Sequence, residues 1–146
     1  MEFKQIHQNF KLPTRATSGA GGYDLYMPEE GILSARRSWS SPTHIMVGLG
    51  FAAKVPDGYV ALILPRSGAG AKHGIELRNT CGVIDSDYTG EWKVAIKQKE
   101  GTGFVWNAGD RLFQYIIVPV GTFEPVLVDE LTETDRGDTG FGGSGK

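Results

Sequence analysis

Cysteine is nearly absent: Cys81 is the only one in 146 residues, so no internal disulfide can staple the fold. That usage fits a reducing, cytoplasmic compartment. Long apolar runs are missing too. None approaches the ~20 residues of a membrane-spanning helix, and the N-terminus lacks a charged-then-apolar leader. No membrane partner is expected. Excess positive charge is also lacking. Fifteen Lys and Arg against 17 Asp and Glu give a net charge of −2, without the basic face that binding to a phosphate backbone needs. No direct nucleic-acid partner is expected. Arg36-Arg37, the one basic doublet, reads as part of a solvated loop. His7, His44 and His73 have no metal-site spacing, and no Ser-His-Asp or Cys-His arrangement is evident.

What the chain has in quantity is glycine. Its 21 glycines are about twice the usual ~7% share, spread among short runs rich in Val, Ile and Tyr. Strands are expected at Phe3-Ile6, Tyr23-Tyr26, His44-Val47, Gly50-Lys54, Tyr59-Leu64, Ile75-Arg78, Gly82-Ile84, Glu91-Lys99, Arg111-Val118 and Val126-Glu130. Turn signals such as Pro56-Asp57-Gly58 and Asn107-Ala108-Gly109-Asp110 separate them. No segment keeps a 3.6-residue period beyond two turns. The best helical stretch is Ser67 to Lys72, with Ser67 as its cap. Ten short strands in one domain predict an all-β sandwich or a closed, jelly-roll-like barrel over residues 1–130. A Thr-, Asp- and Gly-rich arm follows at 131–146.

Several stretches carry more chemistry than strands require. Pro65-Arg66-Ser67-Gly68 follows an apolar strand and offers a guanidinium fork, a hydroxyl and an open amide, a set suited to phosphate oxygens. Gly82-Val83-Ile84-Asp85-Ser86-Asp87-Tyr88-Thr89-Gly90 runs into two carboxylates. Both face one side if the strand continues, for a metal or for base work on water; they diverge if a turn starts at Asp85. Gly21-Gly22-Tyr23-Asp24-Leu25 places an aspartate in an apolar strand, which is costly unless it is paired. In Gly109-Asp110-Arg111-Leu112-Phe113-Gln114, a regular strand would put Arg111 and Gln114 on opposite faces. Arg111 then reads as a buried ion-pair partner of an aspartate, and Gln114 as the group lining a site. The last eleven residues, Arg136 to Lys146, hold five glycines around one arginine and one ring. They read either as a disordered terminus or as a glycine-rich lid over a nucleotide.

In this order, Gly22-Tyr23-Asp24-Leu25, Pro65-Arg66-Ser67-Gly68, Gly82 to Gly90, Gly109 to Gln114 and the tail Arg136 to Gly145 resemble the five motifs of the trimeric deoxyuridine triphosphatases (dUTPases). The resemblance spans about residues 15 to 145, and Ala71-Lys72-His73-Gly74-Ile75 is similar to family sequence as well. It implies a jelly-roll-like β-barrel of the β-clip type, assembled as a homotrimer whose sites each draw on three subunits. The implied reaction is dUTP + H2O → dUMP + pyrophosphate, with water attacking the α-phosphorus and Mg2+ holding the triphosphate. Such an enzyme limits uracil incorporation into DNA and supplies dUMP for thymidylate synthesis.

Roles follow by matching position. Asp85 resembles the carboxylate that activates the water and contacts the 3′-hydroxyl, and Tyr88 the ring under the sugar, where a ribose 2′-hydroxyl would clash. Asn79, with backbone groups of Val83, Ile84 and Lys93, matches the hairpin that reads uracil, a polar readout that discriminates sharply. Arg66, Ser67 and Gly68 match the phosphate turn, and Gln114 a catalytic group at the α-phosphate. Asp24 matches an outer-sphere partner of the metal, acting through water. In the arm, Phe141 with Gly142 matches the lid over uracil, while Arg136 and Ser144 match phosphate contacts.

The chain departs from the family at Gly143, where many members carry a hydroxyl, and in the longer Ser34–Thr43 connection. Trp92 and Trp106 stand where smaller residues are common and read as core or subunit contacts. Two other readings share the scaffold: a dCTP deaminase-type enzyme, whose catalytic glutamate motif is not found here, and a nucleotide-binding regulatory module. From Asp135 the tail reaches about 35 Å, enough for a neighbouring subunit. Deleting residues 136–146 should therefore cost pyrophosphate release far more than thermal stability, and full activity in the truncated protein would remove the lid reading.

Overall fold

The computed structural model describes residues 1–35, 44–98 and 102–138. Ten strands and one short helix follow in order: β1 (Glu2–Gln5), β2 (Tyr23–Leu25), β3 (Gly31–Leu33), β4 (His44–Lys54), β5 (Tyr59–Pro65), α1 (Ser67–His73), β6 (Ile75–Leu77), β7 (Gly82–Ile84), β8 (Glu91–Gln98), β9 (Phe104–Trp106) and β10 (Phe113–Pro119). They form three antiparallel sheets, ordered β1-β4-β8-β6, β2-β10-β5-β7 and β3-β9. No two strands consecutive in the chain pair with each other among the described residues. The chain crosses from sheet to sheet instead, the jelly-roll-like architecture that the strand pattern predicts.

Alternation explains which side each strand buries. In β8, Trp92, Val94 and Ile96 are buried while Lys93 is exposed. In β5 and β10, Ala61, Ile63, Phe113 and Tyr115 turn inward. A string of rings joins the two large sheets. Phe3 and Phe10 pack on Phe51, Phe51 on Trp92, Trp92 edge-on to Tyr115 at 5.4 Å, and Tyr115 on Tyr23 at 5.2 Å. Trp92 and Trp106 are both core residues of this chain.

The structure corrects the sequence reading at several elements. Two expected strands, 44–47 and 50–54, are one strand bent at a register shift between Gly48 and Ala52, where Gly50 has φ 76°. The β3-β9 ribbon was not expected: three residues are too few for alternation to show. It forms because Trp106 lies opposite Gly31, whose missing side chain leaves room for the indole. Ser67 is inside α1 rather than capping it; Arg66 holds the cap position, extended and without a side-chain capping bond. No strand forms at Val126–Glu130, which runs exposed outside the sheets. Val126 and Leu127 stand 76% and 100% exposed.

Burial, and then the neighbouring Tyr23, push the Tyr115 hydroxyl from 10.0 up to about 12. A folded pKa above the unfolded one means the native state keeps a proton that the unfolded state gives up. Stability should be intact below pH 10 and fall as pH rises towards 12. In urea titrations across that range, Tyr115→Phe should lack most of the decline that the parent protein shows.

Candidate active site in two separated halves

One half lies where β2, β5 and β10 end together. Asp24 is the buried charge of the described core, 4% exposed. Its Oδ1 accepts from Arg66 Nε at 2.7 Å, and its Oδ2 accepts from Arg111 Nη1 at 3.0 Å. Arg66 also donates from Nη1 to the Arg111 carbonyl at 3.2 Å. Two opposite charges and two hydrogen bonds compensate the burial of the carboxylate. A guanidinium has five N–H donors, so these bonds do not exhaust Arg66. Beside it begins α1, whose first intrahelical amide bond is Gly70 N to Arg66 O. The amides of Ser67, Gly68 and Ala69 ahead of it have no intrahelical acceptor. Gln114 lies directly opposite Asp24 in the β10-β2 register. Gly22 makes room for it, since a Cβ there would sit 2.5 Å from Gln114 Oε1.

The other half lies beyond β7. A turn starts at Asp85, closed by Tyr88 N to Asp85 O at 3.2 Å, so Asp85 and Asp87 diverge and do not form a paired-carboxylate site. Asp85 is exposed. The Tyr88 ring, 43% exposed, folds back over the turn and donates from its hydroxyl to Glu91 O at 2.9 Å. The flanking strands do not form a hairpin: β7 pairs with β5, and β8 with β4 and β6. The β6 ladder on β8 covers only Ile96 to Gln98, extended to Ala95 by the Arg78 amide. Among the described residues, 91–94 of β8 therefore keep an edge free of ladder partners beside β7. A cavity of about 390 Å³ opens there, lined by Asn79, Gly82, Lys93, His44 and Met46 among others.

The two halves are far apart within one chain. β7 pairs with β5 at Ala61–Ile84 and Ile63–Gly82, so Asp85 leaves at the Val60 end of β5. Arg66 leaves at the other end, about 20 Å away along six residues of strand. Lys54 confirms the placement, reaching Asp57 in the β4-β5 turn and the Ser86 carbonyl.

The structure thus groups Asp24, Arg66, Ser67, Gly68 and Gln114 at one end, and Asn79, Val83, Ile84, Asp85, Tyr88 and Lys93 at the other. It does not bring Asp85 to Gln114 within a chain. Arg111 is an aspartate's ion-pair partner, but its own side chain is 43% exposed rather than buried. It precedes β10, so strand alternation does not set it opposite Gln114; Arg111 reaches Asp24, while the Gln114 amide donates to the Pro65 carbonyl at 3.4 Å. Ile84 is buried and Val83 exposed. Arg136 lies in the exposed segment that follows the last strand. Phe141, Gly142 and Ser144, with residues 36–43 of the Ser34–Thr43 connection, lie outside the described residues. Sequence reasoning passed over His44 and Met46, which line the cavity, and Glu91; nothing but their strand positions signalled them.

A split constellation of this kind, with phosphate-type donors at one end and a base-sized slot at the other on an all-β scaffold, defines a nucleotide hydrolase. Residues 8–145 match the family model for dUTPase. The deoxyuridine 5′-triphosphate nucleotidohydrolase of Burkholderia cenocepacia is 46% identical over 136 residues, 92% of this chain and 89% of the relative. That of Ralstonia pickettii is 44% identical over 143 residues, covering 97% and 93%. Among solved structures, a Staphylococcus bacteriophage 80alpha dUTPase mutant with dUpNHpp matches with a TM-score of 0.86 at 24% identity, covering 99% of this chain and 98% of that one. A mutant dUTPase from phage phi11 of S. aureus, described for its coordination of a structural Mg(II) ion, matches at 0.78 and 24%, covering 90% and 98%. The chain belongs to the dUTPase family, and its activity is the hydrolysis of dUTP; the deaminase reading is not favoured.

Asp24→Asn keeps the shape and removes the charge between two guanidiniums. It should lower stability in urea by about 1–3 kcal/mol, less than for a fully buried pair because both arginines are partly exposed.

Proposed function

We propose that water attacks the α-phosphorus of dUTP, releasing pyrophosphate, in sites assembled between three copies of the chain. The separation of Asp85 from Arg66 along β5 carries this reading: neither end of one chain holds a complete site. Phe123, Val126, Leu127 and Leu131 support it, because exposed apolar residues on a segment outside the sheets are suited to cover a neighbouring copy.

In the assembled site, Asp85 orients the water, accepts its proton and contacts the 3′-hydroxyl. Tyr88 packs against the deoxyribose. Asn79 and the backbone of Val83, Ile84 and Lys93 read uracil in the slot between β7 and β8. From another copy come Arg66, the amides at Ser67 and Gly68, and Gln114 at the α-phosphate. Asp24 holds Arg66 and Arg111 in place. The tail of a third copy supplies Arg136, Phe141, Gly142 and Ser144. The chemistry asks for positioning and charge neutralisation rather than a covalent nucleophile.

Among the described residues no three His, Cys, Asp or Glu side chains converge on a metal position. Mg2+, which keeps several waters and is bound largely through substrate phosphates, would need only outer-sphere help from the chain. Both Asp24 oxygens are engaged by arginines, so its part toward the ion is outer-sphere. Bound Mg2+ neutralises phosphate charge.

Pyrophosphate release should be fast for dUTP with Mg2+ and slow for dTTP, dCTP and UTP; equal turnover of dTTP would overturn the uracil reading. Asp85→Asn should abolish turnover but leave nucleotide binding. Co-expressed Asp85→Asn and Arg66→Gln chains, each inactive alone, should regain partial activity in mixed trimers. Failure to complement would place the site within one chain.

A further inference from the structure

We infer that Glu91 is a positioning residue for sugar discrimination, tying the Tyr88 ring to the bulge of β4. The inference rests on the proposed contact between Tyr88 and the deoxyribose. Glu91 opens β8, and the fully buried Trp92 that follows anchors the strand in the core. The Glu91 backbone and side chain do two different things. Its carbonyl accepts the Tyr88 hydroxyl at 2.9 Å. Its carboxylate Oε1 turns back across the sheet and accepts the Gly50 amide at 3.2 Å. Gly50 lies inside the β4 irregularity, where the register on β8 jumps from Gly48–Lys93 to Ala52–Glu91. A bulge leaves backbone groups without ladder partners, and the carboxylate satisfies one of them.

Two glycines show how closely this clamp is fitted. A side chain at Gly48 would overlap the Glu91 carboxylate, so the bulge is shaped around it. A Cβ at Gly90 would sit 2.6 Å from the Tyr88 hydroxyl oxygen and 2.7 Å from the ring carbon bearing it. The ring is thus laid on the bare backbone of Gly90, with its hydroxyl pinned to the next residue. The Glu91 side chain is 26% exposed and lies 3.9 Å from Lys93 Nζ, itself 54% exposed. This contact to a solvated ammonium adds little; the bond to Gly50 is the anchor. With both links made, the Tyr88 ring cannot retreat from the sugar without shifting the start of β8. A fixed wall rejects a 2′-hydroxyl, whereas a ring free to move would accommodate it.

The test measures kcat and KM for dUTP and UTP in Glu91→Ala, Glu91→Asp, Glu91→Gln, Tyr88→Phe, Tyr88→Ala and the Glu91→Ala/Tyr88→Phe double variant, with thermal melts alongside. Glu91→Ala and Glu91→Asp should lower the dUTP-to-UTP ratio of kcat/KM about tenfold, mostly through KM, while kcat for dUTP changes less than about threefold. Glu91→Gln keeps an acceptor for Gly50 and should hold the ratio near the parent value. Tyr88→Phe should lower the ratio similarly, and the double variant should lose no more than either single. If Glu91→Ala does not fold, the aspartate variant carries the same readout. An unchanged ratio in Glu91→Asp alongside a reduced one in Tyr88→Phe overturns the role of Glu91, as does a double variant showing the product of both losses. A ratio unchanged in Tyr88→Ala overturns the Tyr88–sugar reading itself and is thereby distinguished.

Discussion

Strand β5 is the constraint on which the rest of this structure depends. It is paired on both edges, with β10 over seven residues and with β7 over three. Everything attached to its two ends is therefore held at a fixed spacing. At the Pro65 end sit Arg66, the start of α1, and the β10 and β2 positions of Gln114 and Asp24. At the other end sit the β4-β5 turn and the departing Asp85. A strand buried among Ala61, Ile63, Phe113 and Tyr115 cannot shorten, and the ring string running through Tyr115 and Trp92 to Phe51 locks the sheets across it. The pairing that stabilises the chain thus holds Asp85 and Arg66 apart within it.

Charge is handled differently at the two ends. Asp24 is buried and neutralised by two guanidiniums, which makes it a scaffold for Arg66 and Arg111. Asp85 is exposed on a turn and stays available to a reactant. The contrast fits one carboxylate that positions cations and another that meets water. The Asp24 end is built on three paired strands, and the Asp85 end on a turn tied by Tyr88 to the Glu91 carbonyl and by Lys54 to the Ser86 carbonyl.

Much of this was legible in the chain, for physical reasons that can be named. Short runs of Val, Ile and Tyr between turn residues marked most strands, since period-2 burial is a local property. An aspartate inside an apolar strand required a partner, and Arg111 supplied one. Where local pattern is too short or is overridden, the sequence misled. The bend at Gly48–Ala52 looked like two strands; Gly31 and Trp106 gave no alternation to read; Val126–Glu130 had a strand's composition but runs exposed outside the sheets. The expected uracil hairpin proved to be two strands in different sheets, because register with β5 and β4 outweighs proximity in sequence.

By itself the sequence determined the class: an all-β chain carrying five ordered motifs of a dUTP-hydrolysing family. Residue type and order are enough for that, because phosphate, base and water each demand particular donors and acceptors. Only the tertiary structure decided how those groups are distributed. Burial of Asp24 made it an ion-pair centre, the turn at Asp85 separated it from Asp87, and the length of β5 set Asp85 about 20 Å from Arg66. Such distances follow from which strands pair, and pairing between strands remote in sequence is a property of the packed whole.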